Sequence, residues 1–167
     1  MDILYTGKVD GFCIVSSDSD FTRLATRLRE AGMKVIGIGE KKTLAPFITA
    51  CDKFIYIEIL KKERESQPEP DNREPSKAAP EPAGPLNKID PGIIKLISDS
   101  ITDLADENGW TYLGDLGSLI IKKKPDFDPR NYGFAKMSPM IRSINRFEID
   151  ERDTGKKNEK HIYIRKK

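Results

Sequence analysis

Residues 61–88 read KKERESQPEPDNREPSKAAPEPAGPLNK, and this stretch decides how the rest of the chain can fold. It holds six of the eleven prolines, six Lys/Arg against six Asp/Glu, and almost no large apolar side chain. Such a segment buries too little surface to offset the entropy of ordering it, so it reads as a disordered, Pro- and charge-rich tether. The 167 residues are thereby cut into two modules, 1–60 and 89–167, each of which needs its own core.

The first module alternates strand and helix. Phe12 to Ser16 is an unbroken apolar strand that stops at two carboxylates, Asp18 and Asp20. A helix from Thr22 to about Ala31 follows, with Phe21, Leu24, Ala25 and Leu28 at helical spacing and Gly32 as its stop. Lys34–Gly39 is a second strand, Thr43 is placed to cap a short helix through Ala50, and Phe54–Glu58 is a third strand. Apolar strands in β-α-β-α-β order predict a parallel sheet covered on both faces. In such sheets ligands bind outside the carboxyl ends of the strands. Asp18 and Asp20 fall there, where a cation and a phosphate can be held. Read blandly, Asp20 caps the helix and Asp18 satisfies loop amides. The opening residues, 1–7, look like the end of a helix stopping at Gly7, and the all-apolar first strand asks for a neighbour on each side. The expectation is a sheet completed by a missing N-terminal segment, a partner or a second copy.

The second module opens with Asp90-Pro91, an N-cap and a first-turn proline. Ile94, Ile97, Ile101 and Leu104 mark a helix to about Glu107, and Leu113–Lys124 a second with Leu116, Leu119 and Ile120 inward. Phe134, Met137, Ile141 and Ile144 mark a third, broken or re-capped at Ser138-Pro139. Phe147–Asp150 and His161–Ile164 alternate with period 2 around a turn at 153–158. Three helices and a hairpin make an α+β winged helix.

The charge is nearly balanced: 8 against 8 in residues 1–60, and 15 Lys/Arg against 13 Asp/Glu in 89–167. Any nucleic-acid site is therefore a local patch. No apolar run approaches the roughly 20 residues that cross a membrane, and no secretory signal opens the chain. Cys13 and Cys51, read as lone buried thiols, suit a reducing cytoplasm.

SSDSDFTRLATRLREAGMKVIGIG with the later ACDKFIYIE resembles the C-terminal half of a NYN domain, of the PIN-like ribonucleases. Residues 90–165, with PDFDPRNYGFAKMSPMIRSI ahead of the hairpin, resemble a LOTUS (OST-HTH) domain. The first resemblance implies a metal-dependent endoribonuclease using Mg²⁺ or Mn²⁺, with Asp18 and Asp20 as metal-holding catalytic acids behind the small polar Ser16 and Ser17. Two acids are an incomplete cluster, since a cation fixed against a phosphodiester wants three or four. The second implies an RNA partner, with G-rich or quadruplex RNA known in the family. Around the third helix its candidate surface is Arg130, Asn131, Tyr132, Lys136 and Arg142, joined by the wing residues Arg152, Lys156, Lys157 and Lys160. Tyr132 either stacks on a base or is half-buried, and Phe134 is core. Lys41 and Lys42 either meet an RNA backbone or line a solvated loop. His161 has no catalytic partner, and Trp110 reads as core. The expected function is RNA processing. The alternatives are a non-catalytic RNA-binding adapter and, disfavoured by Asp126, Asp128, Glu148 and Asp150, a winged-helix DNA-binding regulator.

Overall fold

The computed structural model describes residues 9–65, 88–153 and 160–167. The chain divides into two units, residues 1–86 and 87–167. In the first, β1 (Gly11–Val15), β2 (Lys34–Gly39) and β3 (Lys53–Tyr56) form a parallel sheet in the order β1-β2-β3. Phe12 stands beside Val35, and Gly37 beside Phe54. Between the strands run α1 (Thr22–Glu30), α2 (Ala45–Ala50) and, after β3, α3 (Ile57–Glu65). Gly32, at φ +80°, closes the α1 end, in the left-handed region that other residues enter at a cost.

One sheet face carries the core. Phe12, Ile14, Val35, Phe54 and Tyr56 pack there with Ala25 and Leu28 of α1, Phe47 and Ile48 of α2 and Ile59 of α3. Phe54 sits edge-on between Phe47 and Tyr56, with ring centroids 5.9 and 5.5 Å away. The other face, with Cys13, Val15, Ile36, Ile38 and Ile55, is half-buried to exposed among the described residues. Val15 is 68% exposed. Double coverage, expected from the apolar strands, is therefore not what these elements provide. Strands stepping in one direction through crossovers of one hand put both helices on the same side, and only a reversal of strand order covers the second. Cys13 is accordingly exposed, against the expectation of a buried thiol, whereas Cys51 is buried. The third strand also ends earlier than expected. Ile57 and Glu58 begin α3, which runs through residues 61–65 of the segment read as tether. The expected N-terminal helix end, at residues 1–7, lies outside the described residues.

The second unit contains α4 (Pro91–Leu104), β4 (Thr111–Tyr112), α5 (Leu113–Lys123), a 3-10 turn at Pro129–Tyr132, α6 (Met137–Ser143), β5 (Phe147–Asp153) and β6 (Lys160–Lys166). Asp90 Oδ1 accepts the Ile93 N–H at 2.8 Å, the expected cap. The first helix stops at Leu104, short of Glu107. Asp106 Oδ1 takes the Asn108 and Trp110 N–H groups, so the chain turns there toward Gly109. Pro139 does not interrupt the third helix: it lies in the first turn of α6, where N–H groups have no intrahelical partner. The sheet is antiparallel in the order β4-β6-β5. Ile97, Ile101, Leu116, Ile120, Met140, Ile141 and Ile164 fill a core in which each is at most 1% exposed. The second unit is an α+β winged helix, and the first is α/β. No helix among the described residues is long and apolar enough to cross a membrane.

Candidate functional site

At the carboxyl edge of the parallel sheet, short hydrogen bonds tie three chain segments together. After β1, Ser16 N–H donates to the Ile38 carbonyl at 2.9 Å, and Ser16 Oγ accepts the Asp18 N–H at 3.1 Å. Asp18 Oδ1 accepts the Asp20 N–H at 3.0 Å, so Asp18 caps the 3-10 turn Ser19–Phe21 that leads into α1. The cap is thus Asp18 rather than Asp20, because the turn inserted before α1 moves the first orphan N–H groups back by a few residues. Ser17 Oγ accepts the Glu40 N–H at 2.8 Å and fastens the β1 loop to the β2 loop. Glu58, in the first turn of α3, accepts the Lys41 N–H at 3.0 Å through Oε1. Its Oε2 is buried and has no hydrogen-bond partner among the described residues.

Thr43 does not cap α2. Its hydroxyl donates to the Glu40 carbonyl at 2.6 Å inside the β2 loop, and Leu44 precedes the helix without a side-chain cap. Lys42 pairs with Glu40 at 2.6 Å. That hydrogen bond, and behind it the ammonium charge, holds the Glu40 carboxyl below the usual range and raises Lys42. Asp18 and Asp20 both face solvent. Glu58 is the member of this edge that sequence reasoning left without a role. Glu58 closes the run Ile55-Tyr56-Ile57, which reads only as a strand end, since an apolar run does not show where β3 stops and α3 begins.

This donor set does not complete a metal centre. Asp18 already gives one oxygen to its own turn, and Asp20 is exposed beside it. Among the described residues, no group of three or more His, Cys, Asp or Glu side chains is placed to hold a metal ion.

In the second unit the residues around the third helix are built into the fold. Asp128 caps the 3-10 turn through the Arg130 N–H, and its two oxygens take Arg130 Nε and Nη2 at 2.9 and 2.7 Å. Arg130 is thus held in a forked ion pair. Asn131 is 1% exposed and donates to the Asp126 carbonyl at 3.0 Å. Tyr132 is 6% exposed, with its ring 5.9 Å from that of Phe127. Burial, followed by the charges of Asp126 and Asp90, pushes its phenol up to about 12. A ring in that position cannot stack on a base, and Asn131 has no surface to offer one. Burial is thus the outcome for Tyr132 among the two places the sequence left open, and Asn131 is buried with it, next to the left-handed turn at Gly133, φ +85°. Phe134 packs against the core as expected. Lys136 is exposed, and Arg142 is exposed and paired with Glu151. Lys156 and Lys157 lie outside the described residues. Trp110 is half-buried rather than in the core, and Arg152, exposed on the β5 strand of the hairpin, lies over its ring.

Two family models match this chain: NYN domain over residues 1–58 and OST-HTH/LOTUS domain over residues 84–158. No curated protein matches it. A solution NMR structure of an uncharacterized protein from Nitrosomonas europaea is similar at 28% identity. It covers 60% of this chain and 91% of its own, with a TM-score of 0.43. NYN domains are typically metal-dependent nucleases and LOTUS domains bind RNA, so the pair points to an RNA-associated protein.

Proposed function

We propose that this chain is an RNA-processing protein. Its NYN-type unit corresponds to the C-terminal part of an endoribonuclease domain, and its LOTUS-type unit, joined through residues 61–88, binds the RNA. The observation that carries the reading is the stitched sheet edge: loops from three neighbouring strands bring Asp18, Asp20 and Glu58 to one end of the sheet, in a chain that also matches an RNA-binding type of domain. Mg²⁺ or Mn²⁺ is the cofactor such a domain uses. The two exposed carboxylates are fewer than a hard cation needs when it must also grip a phosphodiester, so this edge supplies part of a donor set. The half-exposed sheet face supports self-association, and Lys136 and Arg142 are the exposed candidates left near α6 for phosphate contacts.

Incubating the full chain with single-stranded RNA and Mn²⁺, beside Asp18→Asn/Asp20→Asn, tests the catalytic part. Because the donor set is partial, weak cleavage confined to the unaltered chain is expected. Equal products from both remove the two acids from the reaction. RNA retained without cleavage by either leaves the adapter reading. Filter binding against G-rich RNA, other RNA and duplex DNA ranks the ligands, and retention of duplex DNA alone overturns the RNA reading.

A further inference from the structure

We propose that the solvent face of the β4-β6-β5 sheet is a stacking platform for the unpaired bases of single-stranded RNA, an inference that rests on the RNA reading above. β6 alternates strictly. Ile162 and Ile164 point to the core, so His161, Tyr163 and Arg165 stand on the opposite face. Register brings Tyr112 of β4 beside Tyr163, and Tyr163 beside Asp150 of β5. The ring of Tyr112 lies 5.9 Å from that of Tyr163 and 4.9 Å from that of His161. The Arg165 guanidinium lies over Trp110 at 4.7 Å, and that of Arg152 over Tyr163 at 4.3 Å and Trp110 at 5.4 Å.

The way the arginines are held favours bases over phosphates. Arg165 gives Nε and Nη2 to Glu148 at 3.2 and 2.6 Å, and Arg152 gives Nε to Asp150 at 2.9 Å. One forking edge of Arg165 is therefore engaged by a carboxylate, and Arg152 has its Nε engaged by another. An aromatic ring lies beneath each guanidinium, and each arginine side chain is still about two-fifths exposed or more, at 40% and 46%. A guanidinium seated over a ring and still open to solvent offers a planar group that stacks on a base as an aromatic ring does. Because the ion pairs and rings already fix these side chains, stacking on them costs little further side-chain entropy. The strand's own charge also suits this part of the chain, since residues 146–167 carry eight Lys/Arg against five Asp/Glu. The anionic polymer offsets that excess.

Trp110 is the single tryptophan, so its fluorescence reports on this face alone. The test titrates the full chain with fluorescein-labelled single-stranded RNA 12-mers and with a duplex RNA of equal length. RNA anisotropy reads binding anywhere on the chain, and Trp110 emission reads the platform. Single strands are expected to bind, alter Trp110 emission and outcompete the duplex. Arg152→Lys/Arg165→Lys keeps the charge and loses the planar faces. It is expected to weaken binding about tenfold, the effect of removing one stacked base. Tyr163→Leu is expected to do the same, with circular dichroism confirming that the unit is folded. Binding with Trp110 emission unchanged, or an Arg→Lys double variant that binds like the unaltered chain, overturns the platform and leaves the RNA reading standing. Absence of RNA binding by either readout overturns both.

Discussion

Replacing Gly39 by alanine is expected to damage the first unit more than the same change at Gly32, and the two sites differ in their physics. A Cβ built on Gly39 falls 2.5 Å from the Ser16 carbonyl oxygen, 2.8 Å from Thr43 Oγ1 and 2.9 Å from Phe54 Cζ. Ordinary contact begins near 3.4 Å, so the nearest atom must retreat by almost an ångström, and that atom is backbone. Ser16 cannot retreat alone, because its N–H is bonded to the Ile38 carbonyl at 2.9 Å. Overpacking of this kind costs about 1–3 kcal/mol, and a backbone obstacle puts Gly39→Ala near the top of that range. In a unit this small, about 2–3 kcal/mol lowers the melting temperature by roughly 8–20 °C. At Gly32 nothing lies within 4 Å of the added methyl, but φ is +80°. Gly32→Ala therefore costs only the left-handed penalty, about 1–2 kcal/mol. Hydrogen exchange read by mass spectrometry on the full chain separates β1 and β2 peptides from those of the second unit, and circular dichroism supplies the melt. Unchanged protection of residues 11–16 in Gly39→Ala, or a Gly32→Ala variant less stable than Gly39→Ala, would refute the reasoning.

Phe54→Ala empties a site that is 1% exposed between two rings, and about 3–5 kcal/mol of stability should vanish in a urea melt of the first unit. Asp90→Ala removes the cap on Ile93 N–H and should cost about 1 kcal/mol in the second unit, seen as a lower urea midpoint at constant slope. Tyr132 has a raised phenol in the folded state, so its folded form keeps a proton that the unfolded form gives up. Its stabilising contribution is complete below the ordinary tyrosine value of 10.0 and is lost as pH climbs toward about 12. Denaturation midpoints should fall between pH 10 and 12, and Tyr132→Phe should flatten that fall. A thiol reagent at pH 8 should label exposed Cys13 within minutes and reach Cys51 only on unfolding, since burial lifts the Cys51 thiol to about 11.

Much of the architecture is written in short-range patterns. The β1-turn-α1 unit, the Gly32 stop, the Asp90 cap and the alternation of β5 and β6 follow from periodicity and capping chemistry, which act over a few residues. Asp18 was legible as an exposed acid at a strand end for the same reason. Glu58 was not, because its place depends on where β3 stops and α3 starts, and an apolar run alone does not distinguish them. Arg130 and Asn131 read as a polar, accessible stretch, with Tyr132 open between surface and interior. Asp128 and the Gly133 turn draw them inward, a choice made by one ion pair and one dihedral angle. The aromatic face was hidden in another way. Trp110 and Tyr112 lie some fifty residues from Tyr163 and Arg165 along the chain, and only the β4–β6 pairing brings them together.

By itself, then, the order of residues determined the two folding modules, their strand and helix types, and the acids at the end of β1. Each of those depends on side-chain spacing within one element. Tertiary structure decided which sheet face the helices cover, that Glu58 turns back to the β2 loop, and that two arginines lie over tryptophan and tyrosine. Those outcomes come from contacts between distant segments, where register, crossover hand and burial outweigh any local preference.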